Sequence, residues 1–200
     1  MGRRSSHTAE ELRELILSAS TNLISEGGLG CLSAREVARR IGYSPGTLYN
    51  VFENLDDLVL NIEGRLMDSL AAELDNVPAD GPPGDRVLAL GRAYLRFTTG
   101  HPKLWNLLFE HHLPPGREIP NWYQQKLDGL MKRVEDALQP VLVDAGPDDL
   151  RRSASVLWAG VHGITSLATA DKLSIVTNES AAQLVDQLIR TYLSGLRHAS

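Results

Sequence analysis

Side chains suited to specific recognition are unevenly spread along this chain, and the densest group is short and local. Between positions 33 and 52 the sequence reads SAREVARRIGYSPGTLYNVF. Within it, Thr47 and Asn50 carry groups that suit base edges, while Ser44, Tyr49 and the backbone N–H groups near Ser33 suit phosphate. Arg35 can fork onto guanine O6 and N7 or hold a phosphate. Pro45 and Gly46 complete an outward face that is small and polar enough for a major groove. The plainer alternatives are that Arg35 is a solvated surface arginine and Tyr49 a core ring with its hydroxyl exposed. Arg39 and Arg40 read as ordinary solvated charges.

A second group is dispersed. His101, His111, His112 and His162, with Glu110 and Asp171, invite metal or acid–base chemistry. None of them falls in an H-x-x-x-H or H-E-x-x-H spacing. Adjacent histidines on a helix point about 100° apart. There is also no nucleophile elbow and no phosphate-cradling glycine loop. These patterns exclude the common catalytic classes, and neither a metal nor a cofactor is expected. The aromatics Tyr94, Phe97, Trp105, Phe109, Trp122 and Trp158 each read singly as helix-bundle core. Taken together with His112 and His162, they have the composition of an apolar cavity holding a few polar groups, as small-molecule sites do.

Local signals place the first group on a helix, a three-residue turn and a second helix. Ser33 and Glu36 form an S-x-x-E capping box. Val37, Ala38 and Ile41 make an apolar stripe, and Gly42 sits where a helix ending with positive φ wants no Cβ. Ser44 restarts the chain as an N-cap, with Pro45 at the first helical position. Leu48 and Phe52, four apart, face back onto the first helix. The second helix is barely two turns long and must be carried by its neighbours.

The rest of the chain reads as all-α. A helix over 8–26 opens on a Thr8/Glu11 capping box and buries Leu12, Leu15, Ile16, Ala19, Leu23 and Ile24. Leu29, Cys31 and Leu32 then read as core plugs, with Cys31 a small buried hydrophobe rather than a redox sensor. Asn54 caps a helix over 55–74 whose Leu58, Ile62, Leu66, Leu70 and Leu74 form one ridge. The loop 76–84 (NVPADGPPG) ends it. Further helices are predicted over 85–99, 103–111, 121–143, 148–173 and 179–197, with Pro140 kinking or ending the third near Gln139. Residues 174–178 read as a short connection. Residues 154–170 are apolar almost all round, so that helix must be buried on more than one side. One side suits the body and the other a second copy, with Gly160, Gly163 and Ser166 permitting close approach.

Bulk properties agree with a globular protein: 42% hydrophobic, 22% charged, net charge −5. The acidity is not uniform. Residues 1–52 hold six arginines against five glutamates, leaving +1, and the remainder carries −6. With a screening length of about 8–10 Å, a small basic face on an acidic body still suits phosphate. The single Cys31 excludes an intrachain disulfide. No signal peptide or membrane-length apolar run is visible, so no membrane contact and a cytoplasmic location are expected. The MGRRSS start fits a myristoylation pattern, but a basic arm lying along DNA is the better reading, with a disordered terminus of no role as its alternative.

The stretch from residue 33 onward resembles the DNA-binding helix-turn-helix of the TetR family of transcriptional regulators. The resemblance rests on Val37-Ala38, Gly42-Tyr43-Ser44, Gly46-Thr47-Leu48-Tyr49, Phe52 and Asp56-Asp57-Leu58, in register over about twenty-five positions, and on the length of 200 residues. It implies a helix-turn-helix domain over 1–53 and a helical effector-binding and dimerisation domain over 54–200. It also implies a symmetric four-helix junction built from Trp158, Gly160, Gly163, Ile164, Leu167, Leu184, Leu188 and Tyr192. A homodimer would then read a palindromic double-stranded operator, since two recognition helices lie about one DNA turn apart. In the family, a small-molecule effector releases such a repressor. The string 157–163 (LWAGVHG) is similar to a tryptophan-histidine-glycine signature in one branch of the family. One position departs from the pattern: Leu55 stands where the family usually has a phosphate-reaching lysine. The alternative reading is accordingly a scaffold or adaptor of the same fold that no longer binds DNA.

Overall fold

A computed structural model describes the chain over residues 7–199, with side chains described up to Leu196. The basic arm expected over 1–6 lies outside the described residues. Among the described residues the structure is helical with no strand. Two compact units divide the chain. The first comprises residues 1–66 and 103–119, the second residues 67–102 and 120–200.

The first unit starts with α1 (Ala9–Gly27), opened by the Thr8/Glu11 box with both reciprocal hydrogen bonds present. Its buried face is Ile16, Leu17, Ser20, Leu23 and Ile24. A 3-10 turn, Leu29–Cys31, leads into α2 (Ala34–Ile41), where Val37 and Ala38 are buried. The expectation for Cys31 fails. It is exposed, while Leu29 and Leu32 are the half-buried positions flanking it. The 3-10 turn of Leu29, Gly30 and Cys31 is too short to turn every one of its side chains inward.

Gly42 ends α2 in the left-handed region, at φ 75° and ψ 30°. The expected second helix is a 3-10 segment, Pro45–Asn50, rather than an α-helix. Its sequence PGTLYN contains a proline, a glycine and a β-branched threonine, so intrinsic helix propensity is low and a tighter turn prevails. Leu48 and Phe52, each about 2% exposed, anchor the segment, which packs on α2, and the Arg13 guanidinium of α1 lies 4.7 Å from the Phe52 ring centroid. Two such side chains contribute roughly 1.5–3 kcal/mol each.

Helix α3 (Leu55–Asp75) is capped by Asn54, whose Oδ1 accepts from Asp57 N at 2.9 Å. The ridge Leu58, Ile62, Leu66, Leu70 and Leu74 is buried throughout. From Met67 onward α3 belongs to the second unit, with α4 (Asp85–Gly100), α6 (Asn121–Leu138), α7 (Pro147–Thr169), the short α8 (Leu173–Val176) and α9 (Ala181–Ala199). Helix α5 (Pro102–Glu110) and the following loop return to the first unit.

In the second unit α4 packs on α6, α7 and α9. A Cβ at Gly91 would lie 2.3 Å from Ile189 Cδ1, so any larger residue at this α4–α9 crossing would have to displace the Ile189 side chain. Helix α6 ends at Leu138, as Pro140 dictates. Helix α7 stops at Thr169, four residues before the expected end, and residues expected as a connection form α8 instead. Asp171 at φ 55° turns the chain between them. Surface pairs such as Arg133–Asp75 (2.6 Å), Lys126–Asp68 and Arg92–Asp186 decorate this unit and contribute little each.

Candidate nucleic-acid interface

The interface candidates sit on α2 and the segment after it. Ser33 Oγ accepts from Glu36 N at 3.2 Å. The reciprocal half of this box is absent, because the Glu36 carboxylate faces Arg39 instead. Ser44 occupies the N-cap position without a side-chain cap bond. Its hydroxyl lies 3.0 Å from Thr47 Oγ1, either acting as donor, while Thr47 N donates to the Ser44 carbonyl. Val51 N and Phe52 N both donate to the Leu48 carbonyl, which closes the 3-10 segment.

Burying Leu48 and Phe52 turns the opposite side outward. Tyr49 is 52% exposed, so the core-ring alternative for it fails. Pro45, Gly46 and Asn50 are exposed, and Thr47 is half-buried. Gly46 has neither a positive φ nor a crowding neighbour: beyond the adjoining backbone, nothing described lies within 4 Å of where its Cβ would stand. No packing inside this chain calls for glycine at this position.

Three arginines of α2 differ in what they touch. Arg39 donates to both oxygens of Glu36 at 2.9 and 2.5 Å. Arg40 donates to both oxygens of Glu26 at 2.8 and 2.5 Å. These guanidiniums hold both carboxyls below the ordinary glutamate range. Arg35 is exposed and, among the described residues, makes no ion pair or hydrogen bond. Its charge is the one on α2 left for an outside partner. Nearby, the Tyr43 hydroxyl lies 2.6 Å from His7 Nδ1, a contact across 36 residues with no signature in local spacing.

The aromatic candidates divide between the units. In the second unit the buried Tyr94 places its hydroxyl 2.8 Å from His162 Nδ1, and Trp158 stacks on the same imidazole at 5.1 Å and 7°. Burial pushes the His162 imidazole below its ordinary value, which keeps it neutral. Phe97 is buried beside the His101 ring, and Trp122 is partly exposed against Tyr123. Trp105, Phe109 and His112 belong to the first unit. There Trp105 is buried against the exposed Phe109, and His112 Nδ1 lies 2.9 Å from the Glu110 carbonyl. A hollow of about 290 Å³ lined by Leu88, Ile189, Arg190 and Leu193 contains none of the predicted aromatics. Among the described residues no cluster of three metal-ligating side chains occurs.

The pairing candidates lie on α7 and α9. One face of α7, carrying Ala154, Leu157, Val161 and Thr165, is buried within the chain. The other carries exposed Val156, Ala159, Gly163 and Leu167, with Trp158 and Ile164 half-buried at its edges. Gly160 faces α9, where its Cβ would meet Leu188 at 2.8 Å. Leu184 and Leu188 are half-buried, and the Tyr192 hydroxyl donates to the Ser153 carbonyl at 3.1 Å.

His111, singled out by residue type, has partners that the sequence did not reveal. His111 lies between Glu63 and Asp56, 48 and 55 residues away, where spacing carries no signal.

Comparison with known proteins supplies the family. Residues 16–62 match the model described as "Bacterial regulatory proteins, tetR family", and residues 87–192 match "Tetracyclin repressor-like, C-terminal domain". An uncharacterized HTH-type transcriptional regulator of Mycobacterium tuberculosis is 23% identical over 178 residues, covering 89% of this chain and 78% of its own length. Among solved structures, a protein of unknown function from Rhodococcus sp. RHA1 aligns with TM-score 0.79 at 24% identity, covering 98% of this chain and 100% of that one. The FadR regulator of Bacillus subtilis, solved in complex with stearoyl-CoA, aligns with TM-score 0.68 at 14% identity over 91% of this chain and 98% of its own.

Proposed function

The chain belongs to the tetR family of bacterial regulatory proteins, and on that premise we propose that it is a ligand-responsive repressor that binds a palindromic operator as a homodimer. Members of this family are DNA-binding helix-turn-helix regulators of transcription, not enzymes. The observation that carries the finer reading is the outward face of residues 45–50 beside Arg35. Leu48 and Phe52 hold that face away from the core, its glycine needs no room within the chain, and the adjacent arginine lacks a partner among the described residues. In this reading Arg35, Thr47 and Asn50 meet base edges, while Ser33, Ser44 and Tyr49 meet phosphate, and Pro45 and Gly46 let the backbone approach.

Pairing through the exposed apolar face of α7 supplies the second head. A contiguous row of Val156, Ala159, Gly163 and Leu167 in water is unusual for a helix that ends its days as a monomer surface. The Tyr94–His162–Trp158 cluster is the part of the second unit that suits an organic effector: an apolar wall, one neutral imidazole and one phenol. A regulator of the same fold holds an acyl-CoA, which supports an organic rather than a metallic signal. An effector acts only through its different affinity for DNA-competent and incompetent states.

Leu55 favours a second reading, an adaptor that has lost its operator, since the first turn of α3 carries Asp56 and Asp57 and no cation. One experiment separates the two. DNA fragments retained by the purified protein are sequenced at fixed salt, and small molecules are then screened for release. Recovery of an inverted repeat, with retention weakening steeply as salt rises, supports the repressor; no retention at low salt leaves the adaptor.

A further inference from the structure

The first unit contains a buried polar group that neither DNA contact nor pairing uses. Glu63 lies one step off the apolar ridge of α3 and is 2% exposed. A buried carboxylate is costly unless a cation or several donors meet it. Among the described residues its partner is His111, which follows α5 directly: Nδ1 lies 3.2 Å from Glu63 Oε1. The other ring nitrogen, Nε2, lies 3.2 Å from Asp56 Oδ1, in the first turn of α3. The ring itself is almost fully enclosed.

Two carboxylates, one on each side of an imidazole, offer only acceptors when both are ionised. Both ring nitrogens must then carry hydrogen, which is the imidazolium. A neutral ring satisfies one carboxylate and turns a lone pair on the other. We propose that His111 is a positioning residue for the DNA-contacting head, a proton-held clasp whose cation joins the end of α5 to the first turns of α3 and lets go as pH rises. Among the described residues, Glu63 and Asp56 are the charged groups that meet the ring. On its own segment, His112 engages the Glu110 carbonyl and Arg117 pairs with Glu53 at 2.8 Å. Asp57, beside Asp56, is taken up by Glu53 N and Asn61.

The clasp acts on the part of α3 that begins three residues after Phe52, the anchor of the outward face. Its loosening therefore frees the entry of α3 and, through it, residues 45–50. The hydrogen bond with Glu63 holds the imidazole above its ordinary value of 6.5, with Asp56 acting in the same sense against burial. The clasp is thus fully made below about pH 6.5 and is lost as pH rises through the ring's raised value.

The test uses the full-length protein. Histidine-labelled NMR follows the His111 ring from pH 5.5 to 9, the resonance being assigned by loss in H111Q. The wild-type ring titrates above 6.5, E63Q brings it down, and D56N brings it down by less. A wild-type ring at or below 6.5, or one that E63Q leaves unmoved, overturns the clasp without any variant having to bind DNA. The positioning role rests on the repressor reading and has its own readout. At constant salt, retention of the selected DNA falls severalfold between pH 6.5 and 8.5 for the wild type and stays flat for H111Q. Equal pH dependence in both overturns the role. Failure to retain DNA at any pH overturns the repressor reading instead, while the ring titration still decides the clasp.

Discussion

Gly46→Ala is the sharpest probe of the proposed interface, because its effects on folding and on binding should have opposite signs. The position has no positive φ, and beyond the adjoining backbone an added Cβ would meet nothing described within 4 Å. Alanine therefore fits the folded backbone without strain and restricts only the unfolded chain. The expected gain is about 0.4–1 kcal/mol, or a rise of roughly 1–4 °C in melting temperature for a chain of this length. In the proposed complex the methyl carbon projects about 1.5 Å beyond Cα, toward the duplex. That offset is enough to part Thr47 and Asn50 from their hydrogen-bond partners. Losing one such contact costs about 1–3 kcal/mol, roughly 5- to 150-fold in affinity. A thermal melt and a gel-shift titration at fixed salt read the two effects on one preparation. Unchanged operator affinity would refute the close approach of backbone to DNA, and a lower melting temperature would refute the open space around Gly46.

Four further outcomes follow from particular contacts. Arg35→Ala weakens operator binding by about 1–3 kcal/mol if it makes a bidentate guanine contact, whereas Arg39→Ala, whose guanidinium is already held by Glu36, changes it by much less in the same titration. Leu48→Ala leaves a cavity under residues 45–50 and costs about 2–5 kcal/mol, read by urea unfolding; a loss within 0.5 kcal/mol would mean that the segment is not anchored there. Leu167→Glu, on the outward face of α7, keeps helical circular dichroism but shifts sedimentation from dimer to monomer, and a persistent dimer removes that face from the interface. For His162, held low by burial, the unfolded chain takes up a proton first, so stability is lost as pH falls below about 6.5. Melting curves between pH 7.5 and 5.5 check this, since H162Q should flatten the fall.

Most of the helices were legible because each carries both a periodic apolar face and punctuation. Thr8/Glu11, Gly42, Asn54 and Pro140 act through backbone hydrogen bonds or ring sterics within a few residues, and they mark ends wherever they occur. Residues 45–50 were legible as an anchored segment through Leu48 and Phe52, but the choice between 3-10 and α geometry depends on how α1 and α2 receive those side chains. Cys31 misled because residue type sets only an average tendency to be buried, whereas around this short turn Leu29 and Leu32 take the half-buried positions. Pairing of Arg39 with Glu36 is a helix-neighbour contact open to sequence reasoning. Contacts such as Arg40 with Glu26, His7 with Tyr43 and His111 with Glu63 join distant stretches and become visible only once the chain is folded.

Helix α5 and its loop belong to the first unit although the chain reaches them only after passing through the second. Lys103 Nζ donates to the Glu26 carbonyl, Arg117 pairs with Glu53, and His111 meets Glu63. The head is therefore not a transplantable N-terminal cassette. A chimera that grafts residues 1–66 onto another regulator would leave a carboxylate stranded and two anchor points vacant. Swapping operator specificity between relatives would need two grafts made together, the second a seventeen-residue strap spanning 103–119.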